Sequence, residues 1–131
     1  MSAGAGLRPL RALVVGAGPA SEAFHMPVLA QLKSTGGLDL VQICDLRRDR
    51  AADLRRRFGF AEDSGEALPG LRRADIDVVY LFASAQVHYE YGLEALRHGK
   101  HLFVEKPVAP DSARARELAC TRAVRPRRSC S

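Results

Sequence analysis

Two glycines spaced two residues apart could place backbone groups against a phosphate near the start of the chain. Gly16 and Gly18 follow a short apolar run in the segment VVGAGPASEAFHMP. In a strand–turn–helix unit, the first such glycine permits the tight turn and the second lets the backbone approach a pyrophosphate. Ser21 replaces the third glycine of the usual pattern. We expect this serine to cost some helix packing and to leave phosphate binding intact.

Pro19 and Ala20 follow the second glycine at positions suited to the first turn of a helix. Proline is tolerated there because its missing N–H has no partner to lose. The remaining N–H groups and the positive end of the helix dipole would face an anionic ligand. A glycine turn of this kind also occurs in unrelated α/β domains, so the motif alone is a weak signal.

An acid at the end of the second apolar run strengthens the interpretation as a dinucleotide site. Asp45 closes the segment VQICD, where an acid can hold the ribose hydroxyls of adenosine, although it can also simply cap a turn. Arg47 and Arg48 follow, and they are either contacts for a 2′-phosphate or solvated charges that open the next helix. We therefore predict NAD or NADP as the cofactor, with NAD favoured by Asp45.

The elements that position these residues alternate along the chain. Apolar runs and helical spacing predict four strands and four helices. The strands are predicted over 11–16, 38–45, 77–83 and 101–105, and the helices over 19–34, 48–58, 87–98 and from Pro110 onward. Residues 61–74 are predicted as a loop with a short helical turn. This order indicates an α/β protein with a Rossmann-type parallel sheet and helices on both faces, truncated after the fourth strand, which would be an open edge.

Composition excludes several classes of protein. The chain has 131 residues and a net charge of +5, but residues 118–131 contribute four arginines and no acid. The basic excess therefore lies in a tail, and we predict no nucleic-acid partner. No apolar run approaches the roughly 20 residues of a membrane span, and no secretory signal is visible. Cys44, Cys120 and Cys130 show no metal-binding spacing, so we expect a reduced, cytoplasmic protein without a metal or a membrane partner.

A second cluster of polar residues is the most specific feature. The segments DIDVVYLFASAQVHYEYGLEAL and EALRHGKHLFVEKP lie in order after the predicted acid. They resemble the Gfo/Idh/MocA oxidoreductase family, which has an ALxxGKHVxxEKP segment in this place. The resemblance runs from about Leu13 to Leu118. It implies the NAD(P)-binding domain of an enzyme that transfers hydride to or from a sugar, a polyol or a related CH–OH substrate.

The resemblance also implies roles for single residues. Gly16, Gly18 and Asp45 match the dinucleotide positions of the family. Lys106 matches the EKP lysine, which lies beside the nicotinamide and the reacting hydroxyl, where a cation can orient an oxygen and stabilise developing negative charge. Lys106 is therefore the candidate catalytic residue, with a plain surface lysine as the alternative.

Further positions match the family less directly. Glu105 belongs to the same motif and is expected on the cofactor side. His88 matches a histidine at a helix start, with local packing as an equal alternative. Ser84 begins a SAQ turn that departs from the family's TPP-like turn. His25, in a possible HxP motif, is expected on a helix face. The predicted cofactor-binding set is Gly16, Gly18, Pro19, Ala20, Asp45, Arg47, Ser84, His88, Glu105 and Lys106.

The family pattern continues beyond this chain with a larger domain that supplies the substrate pocket. We therefore expect a flexible segment over residues 1–10, an incomplete Rossmann-like domain over 11–118, and an aberrant basic tail over 119–131. The chain would be the cofactor half of an enzyme, without turnover alone, or a non-catalytic dinucleotide-binding module or truncated product. A small-molecule substrate would require a second domain. The oligomeric state stays open.

Overall fold

A five-stranded parallel sheet forms the centre of residues 8–121, the part described by a computed structural model. Its order is β3-β2-β1-β4-β5, and each neighbouring pair is parallel. The strands are β1 (Leu10–Val15), β2 (Leu38–Cys44), β3 (Glu62–Ser64), β4 (Val78–Leu81) and β5 (His101–Val104). The predicted α/β class with a parallel sheet is confirmed.

Helices connect the strands and cover both faces of the sheet. They are α1 (Met26–Ser34), α2 (Arg48–Phe58), α3 (Leu68–Leu71), α4 (Ala85–Arg97) and α5 (Ser112–Cys120), and a π-helical segment, Ser21–His25, leads into α1. One buried cluster joins β1 and β2 to α1 and α2, and includes Val14 and Leu54. The other joins β1 and β4 to α3 and α4, and includes Leu13 and Leu71. Alternate residues of β1 therefore anchor the two layers.

The prediction of four strands is wrong, because β3 lies where a loop was expected. β3 pairs with the end of β2, with Glu62 beside Gln42 and Ser64 beside Cys44. Its three residues are polar, so backbone pairing rather than apolar side chains defines the strand. The expected helical turn in the same region is present as α3. Within residues 8–121, β5 is the edge strand on the side opposite β3.

The ends of the chain qualify the predicted boundaries. β1 begins at Leu10, and Arg8 already forms a bidentate pair with Asp77 at 2.9 Å and 3.1 Å. α5 runs to Cys120, across the predicted boundary at residue 118. Most of the predicted basic tail, residues 122–131, lies outside the described residues. None of the helices within residues 8–121 combines the length and the apolar character needed to cross a bilayer.

Candidate functional site

Gly16 makes the turn at the carboxyl end of β1 possible. Its φ is +113°, and a Cβ placed on it would lie 2.1 Å from the carbonyl oxygen of Phe82. Its N–H donates to the carbonyl of Cys44 at 2.8 Å. The turn is therefore wedged between the ends of β2 and β4, and no residue with a side chain fits there.

Gly18 faces open space instead. A Cβ added to it would meet no heavy atom of residues 8–121 within 4 Å, and its φ is not in the left-handed region. Pro19 and Ala20 continue the chain as the exposed first residues of a helix. The two glycines thus differ in function: Gly16 satisfies a constraint of the fold, and Gly18 leaves room on the outer side of the turn.

The helix after the turn starts with wider spacing. Met26 donates its N–H to the carbonyl of Ser21, five residues earlier, which defines the π-helical segment. Ser21 is buried, and its Oγ finds no hydrogen-bond partner among the described residues. A buried hydroxyl without a partner is unfavourable, so the serine in the third motif position has a stability cost.

Asp45 binds the glycine turn and its own loop at the same time. Its Oδ2 accepts a hydrogen bond of 2.7 Å from the N–H of Ala17, and its Oδ1 accepts one of 2.8 Å from the N–H of Arg47. A carboxylate has about four acceptor positions, so each oxygen can accept a further donor. The acid at the end of β2 is therefore held in place and can still bind a hydroxyl.

A crevice opens between the carboxyl ends of β1, β2 and β4. It lies where the strand order reverses: the chain runs from β1 through β2 to β3 on one side and then crosses to β4 on the other side of β1. This is the usual ligand position in open α/β sheets. The turn glycines, Asp45 and the start of α4 line it, so three predicted site residues come together. The lining residues are Val15, Gly16, Gly18, Cys44, Asp45, Leu46, Phe82, Ala83, Val87 and Tyr91.

The arginines that follow Asp45 point to different partners. Arg47 pairs with Asp49 at 3.6 Å, with both side chains largely exposed, and Arg48 pairs with Asp63 at 3.2 Å. Neither pair involves the glycine turn. Arg47 is therefore bound to the site through its backbone N–H and not through its guanidinium.

Arg50 supports the turn and was missed by the sequence analysis. Its Nε donates to the carbonyl of Ala17 at 3.0 Å, and its Nη2 pairs with Glu22 at 2.8 Å. Arg50 and then Arg57 hold the pKa of Glu22 below its usual range. Arg50 lies in the first turn of α2, an ordinary amphipathic helix. Its position in the sequence gives no sign that it contacts Ala17 and Glu22.

The start of α4 provides a second helix terminus at the crevice. Ser84 is its N-cap, and the Ser84 Oγ accepts a hydrogen bond of 3.3 Å from the N–H of Val87. Ser84 itself is exposed and does not line the crevice, whereas Ala83 and Val87 do. Its observed contact is thus that of a helix cap.

His88 is fully buried and connects two loops. Its Nε2 accepts the N–H of Ala83 at 2.8 Å, so its Nδ1 carries the hydrogen that is donated to the carbonyl of Pro107 at 2.8 Å. Both ring nitrogens are therefore used by the backbone. These contacts agree with the alternative of local packing. The ring affects the site by holding two loops, the one with Ala83 and the one with Pro107.

Glu105 contacts His25, a residue assigned only to a helix face. Glu105 Oε2 lies 2.5 Å from His25 Nε2, and the imidazole stacks on Phe82 with 4.1 Å between ring centroids. The interplanar angle is 5°. This contact ties the π-helical segment to the end of β5.

Lys106 is exposed and follows Glu105 on the loop that His88 holds. A cis peptide bond joins it to Pro107. Within residues 8–121, its ammonium makes no hydrogen bond or ion pair. The predicted catalytic lysine is therefore displayed from a fixed loop and is free to meet a ligand.

The described wall of the crevice contains neither a reactive thiol nor a metal-binding cluster. Cys44 is buried, and its thiol donates to Gln42 Oε1 at 3.0 Å. Burial raises the pKa of this thiol to about 12. Within the described residues, no group of three metal-ligating side chains exists. The crevice therefore offers backbone donors and one carboxylate, whereas Glu105 and Lys106 are not among its lining residues.

Comparison with known proteins agrees with this geometry. Residues 10–128 match the oxidoreductase family with an NAD-binding Rossmann fold, Gfo/Idh/MocA. The chain is 34% identical over 118 residues to dTDP-3,4-didehydro-2,6-dideoxy-alpha-D-glucose 3-reductase of Actinomadura kijaniata, and covers 33% of it. It is 30% identical over 105 residues to inositol 2-dehydrogenase of Salmonella paratyphi B, and covers 30% of that protein. These matches span 87% and 79% of this chain, respectively.

A solved structure shows the same fold. The crystal structure of a 3-ketoreductase from Actinomadura kijaniata with NADP and TDP-benzene superposes with a TM-score of 0.76 at 32% identity. The match covers 87% of this chain and 34% of that one. The chain therefore spans about a third of the length of the relatives that it matches. It belongs to the Gfo/Idh/MocA oxidoreductase family and matches its NAD-binding Rossmann domain.

Proposed function

We propose that this chain binds a nicotinamide adenine dinucleotide in the crevice at the carboxyl ends of β1, β2 and β4. The observation that carries the proposal is the contrast between the two turn glycines. The Phe82 carbonyl leaves no room for a side chain at residue 16, whereas no atom of residues 8–121 lies within 4 Å of a Cβ built on Gly18. A diphosphate there would receive the N–H groups of the helix start that follow Pro19, beginning with that of Ala20.

Asp45 favours NAD over NADP in this proposal. Its carboxylate is held by two backbone N–H groups and has acceptor capacity left for the adenosine ribose hydroxyls. A 2′-phosphate at this position would meet like charge. Arg47 is exposed and supports the alternative, since its guanidinium could turn toward a 2′-phosphate. The reductase structure from Actinomadura kijaniata contains NADP, and parallel titrations with NADH and NADPH distinguish the two cofactors.

Lys106 is the residue we assign to the reacting end. The dinucleotide supplies hydride chemistry when it is bound. The Lys106 ammonium can orient a substrate oxygen and stabilise negative charge on it. Relatives named as a dideoxyglucose 3-reductase and an inositol 2-dehydrogenase support a CH–OH or carbonyl carbon of a sugar or polyol as the substrate.

A dinucleotide-binding module without turnover is the second candidate. Lys106 contacts no acid or base within residues 8–121, and both His88 nitrogens are bound to backbone. The relatives are about three times longer than this chain. Incubation with NAD and a panel of polyols separates the candidates, and we expect no turnover from the chain alone.

Fluorescence titration with NADH tests the binding site. We expect saturable binding that Gly18→Ala weakens at least about tenfold, because the methyl group enters the phosphate space. Gly37→Ala is the matched control, since its Cβ would meet only an ordinary contact of 3.7 Å. Absence of saturable binding by the parent chain contradicts the proposal. Equal binding by the Gly18 variant would place the ligand elsewhere.

A further inference from the structure

Tyr91 lies where two hollows of the crevice meet. It is on α4, one helical turn after Val87, so the two residues share one side of the helix. Both line the hollow at the glycine turn, together with Gly16 and Gly18. Tyr91 also lines a smaller hollow, which it shares with Asp45 and which does not include Val87. The tyrosine therefore borders both parts of the proposed binding site.

The smaller hollow is largely apolar. Apart from Asp45, its lining includes Leu46, Gly65, Ala67 and the ring of Tyr91. Leu46 is 89% exposed, more than any other large apolar residue of the described chain. A leucine left in water forgoes the free energy that its burial would supply. Since Asp45 is the acid that we assign to the adenosine ribose, a flat apolar ring attached to that ribose would fit beside it.

The hydroxyl of Tyr91 has no partner in the described fold. The ring is half-buried and packs against the core cluster that includes Leu71. Within residues 8–121 the hydroxyl forms no hydrogen bond, although a tyrosine that is partly buried usually finds one. Tyr89, on the same helix, donates its hydroxyl to Glu117 at 2.6 Å. Tyr91 therefore combines an apolar ring with a hydroxyl that is free for a ligand.

We propose that Tyr91 determines specificity for the base of the bound dinucleotide, with its ring against the purine and its hydroxyl bonded to a base nitrogen. The inference rests on the proposed function, because it assigns a residue to one end of the same ligand. A phenol can both donate and accept a hydrogen bond, so it suits the ring nitrogens and the amino group of adenine. A one-ring pyrimidine on the same ribose would cover less of this wall, so a purine is preferred.

Calorimetric titration of the full chain with NADH, AMP and CMP tests this contact. Tyr91→Phe keeps the ring and removes the hydroxyl, so the dissociation constants for NADH and AMP should rise about three- to tenfold. Tyr89→Phe is the matched control, because it makes the same change on the same helix at a hydroxyl that is bonded to Glu117. It should leave both constants unchanged. The preference for AMP over CMP should narrow only in the Tyr91 variant.

Fluorine NMR reports the contact directly. The chain has three tyrosines, so 3-fluorotyrosine labelling gives three signals, which the single variants assign. AMP should shift the Tyr91 signal and leave that of Tyr89 in place.

The outcomes separate this inference from the proposed function. NADH binding that is equal in the parent and Tyr91→Phe, or a Tyr91 signal that AMP does not move, overturns the role of Tyr91 and leaves the cofactor site intact. A variant weakened toward NADH but not toward AMP also overturns it, because the hydroxyl would then contact the other half of the ligand. A parent chain that binds AMP but not NADH contradicts the proposed function alone, and one that binds neither overturns both.

Discussion

The carboxylate of Asp45 accepts a hydrogen bond of 2.7 Å from the N–H of Ala17, so the end of β2 is bonded to the glycine turn after β1. The pattern for dinucleotide sites assigns such an acid to the ribose alone. In this chain the same group also fixes the turn. Changes at Asp45 should therefore affect both the fold of the turn and the choice of cofactor.

Asp45→Asn should reduce the preference for NADH over NADPH. The amide can still accept from Ala17 but loses the negative charge that would repel a 2′-phosphate. We expect affinity for NADH to fall about tenfold and affinity for NADPH to fall less. Parallel fluorescence titrations measure the ratio, and an unchanged ratio would mean that Asp45 does not contact the ribose.

Gly16→Ala should strongly destabilise the fold. The new Cβ would lie 2.1 Å from the Phe82 carbonyl oxygen, on a backbone with φ of +113°. We expect a loss of more than about 2 kcal/mol in the free energy of unfolding. Urea denaturation followed by circular dichroism measures it. Gly18→Ala, with open space at its Cβ, should stay close to the parent.

Ser21→Ala should stabilise the chain. The substitution removes a buried hydroxyl that has no partner among the described residues and keeps a side chain that fits the helix. A gain of about 1 kcal/mol is expected, with unchanged NADH affinity. A thermal melt of both forms checks this. Lower stability of the alanine variant would show that the hydroxyl has a partner, such as a bound water.

The Cys44 thiol should stay unreactive well above neutral pH. Burial raises its pKa from 9.0 to about 12, so the folded state disfavours the thiolate. Stability linked to this group is present below pH 9 and is lost as the pH rises from about 9 to about 12, because the unfolded chain ionises first. Iodoacetamide labelling of a Cys120→Ser, Cys130→Ser variant at pH 9 should be slow, and fast in urea. Rapid labelling of the folded protein would contradict this.

His88→Phe should cost about 2 kcal/mol or more of unfolding free energy. The phenyl ring fills the volume but leaves the Ala83 N–H and the Pro107 carbonyl without partners. His98→Phe is the control, because its side chain lies at the surface. Denaturation curves of the two variants should therefore differ. Equal stability would show that water replaces the imidazole bonds.

Apolar runs predicted the four main strands because buried parallel strands are nearly continuous in apolar residues. β3 was invisible to that signal, since Glu62–Ser64 pairs with β2 through its backbone and carries only polar side chains. Periodicity also could not show the π-helical segment. Its hydrogen bonds join residues five apart instead of four, and a segment of five residues is too short to show a period.

Three of the predicted site residues, Gly16, Gly18 and Asp45, line one crevice. Of these, Gly16 is the position at which the backbone itself requires a glycine. Two contacts were not predicted: that of Arg50 with the Ala17 carbonyl, and that of His25 with Glu105. Both depend on which side chains meet in the folded chain. Long-range pairing of this kind leaves no local trace in a single sequence.

The two hydrogen bonds of His88 couple the motion of the loop after β4 to the motion of the loop after β5. Ala83 follows β4 and Pro107 follows β5, and one imidazole spans both. Opening either loop breaks a bond to the same ring, so we expect them to open as one cooperative unit. The amide of Ala83 would then exchange its hydrogen with solvent at the rate at which the Lys106 loop detaches. Hydrogen exchange at the Ala83 amide, after β4, would therefore measure how often the loop that carries Lys106, after β5, opens.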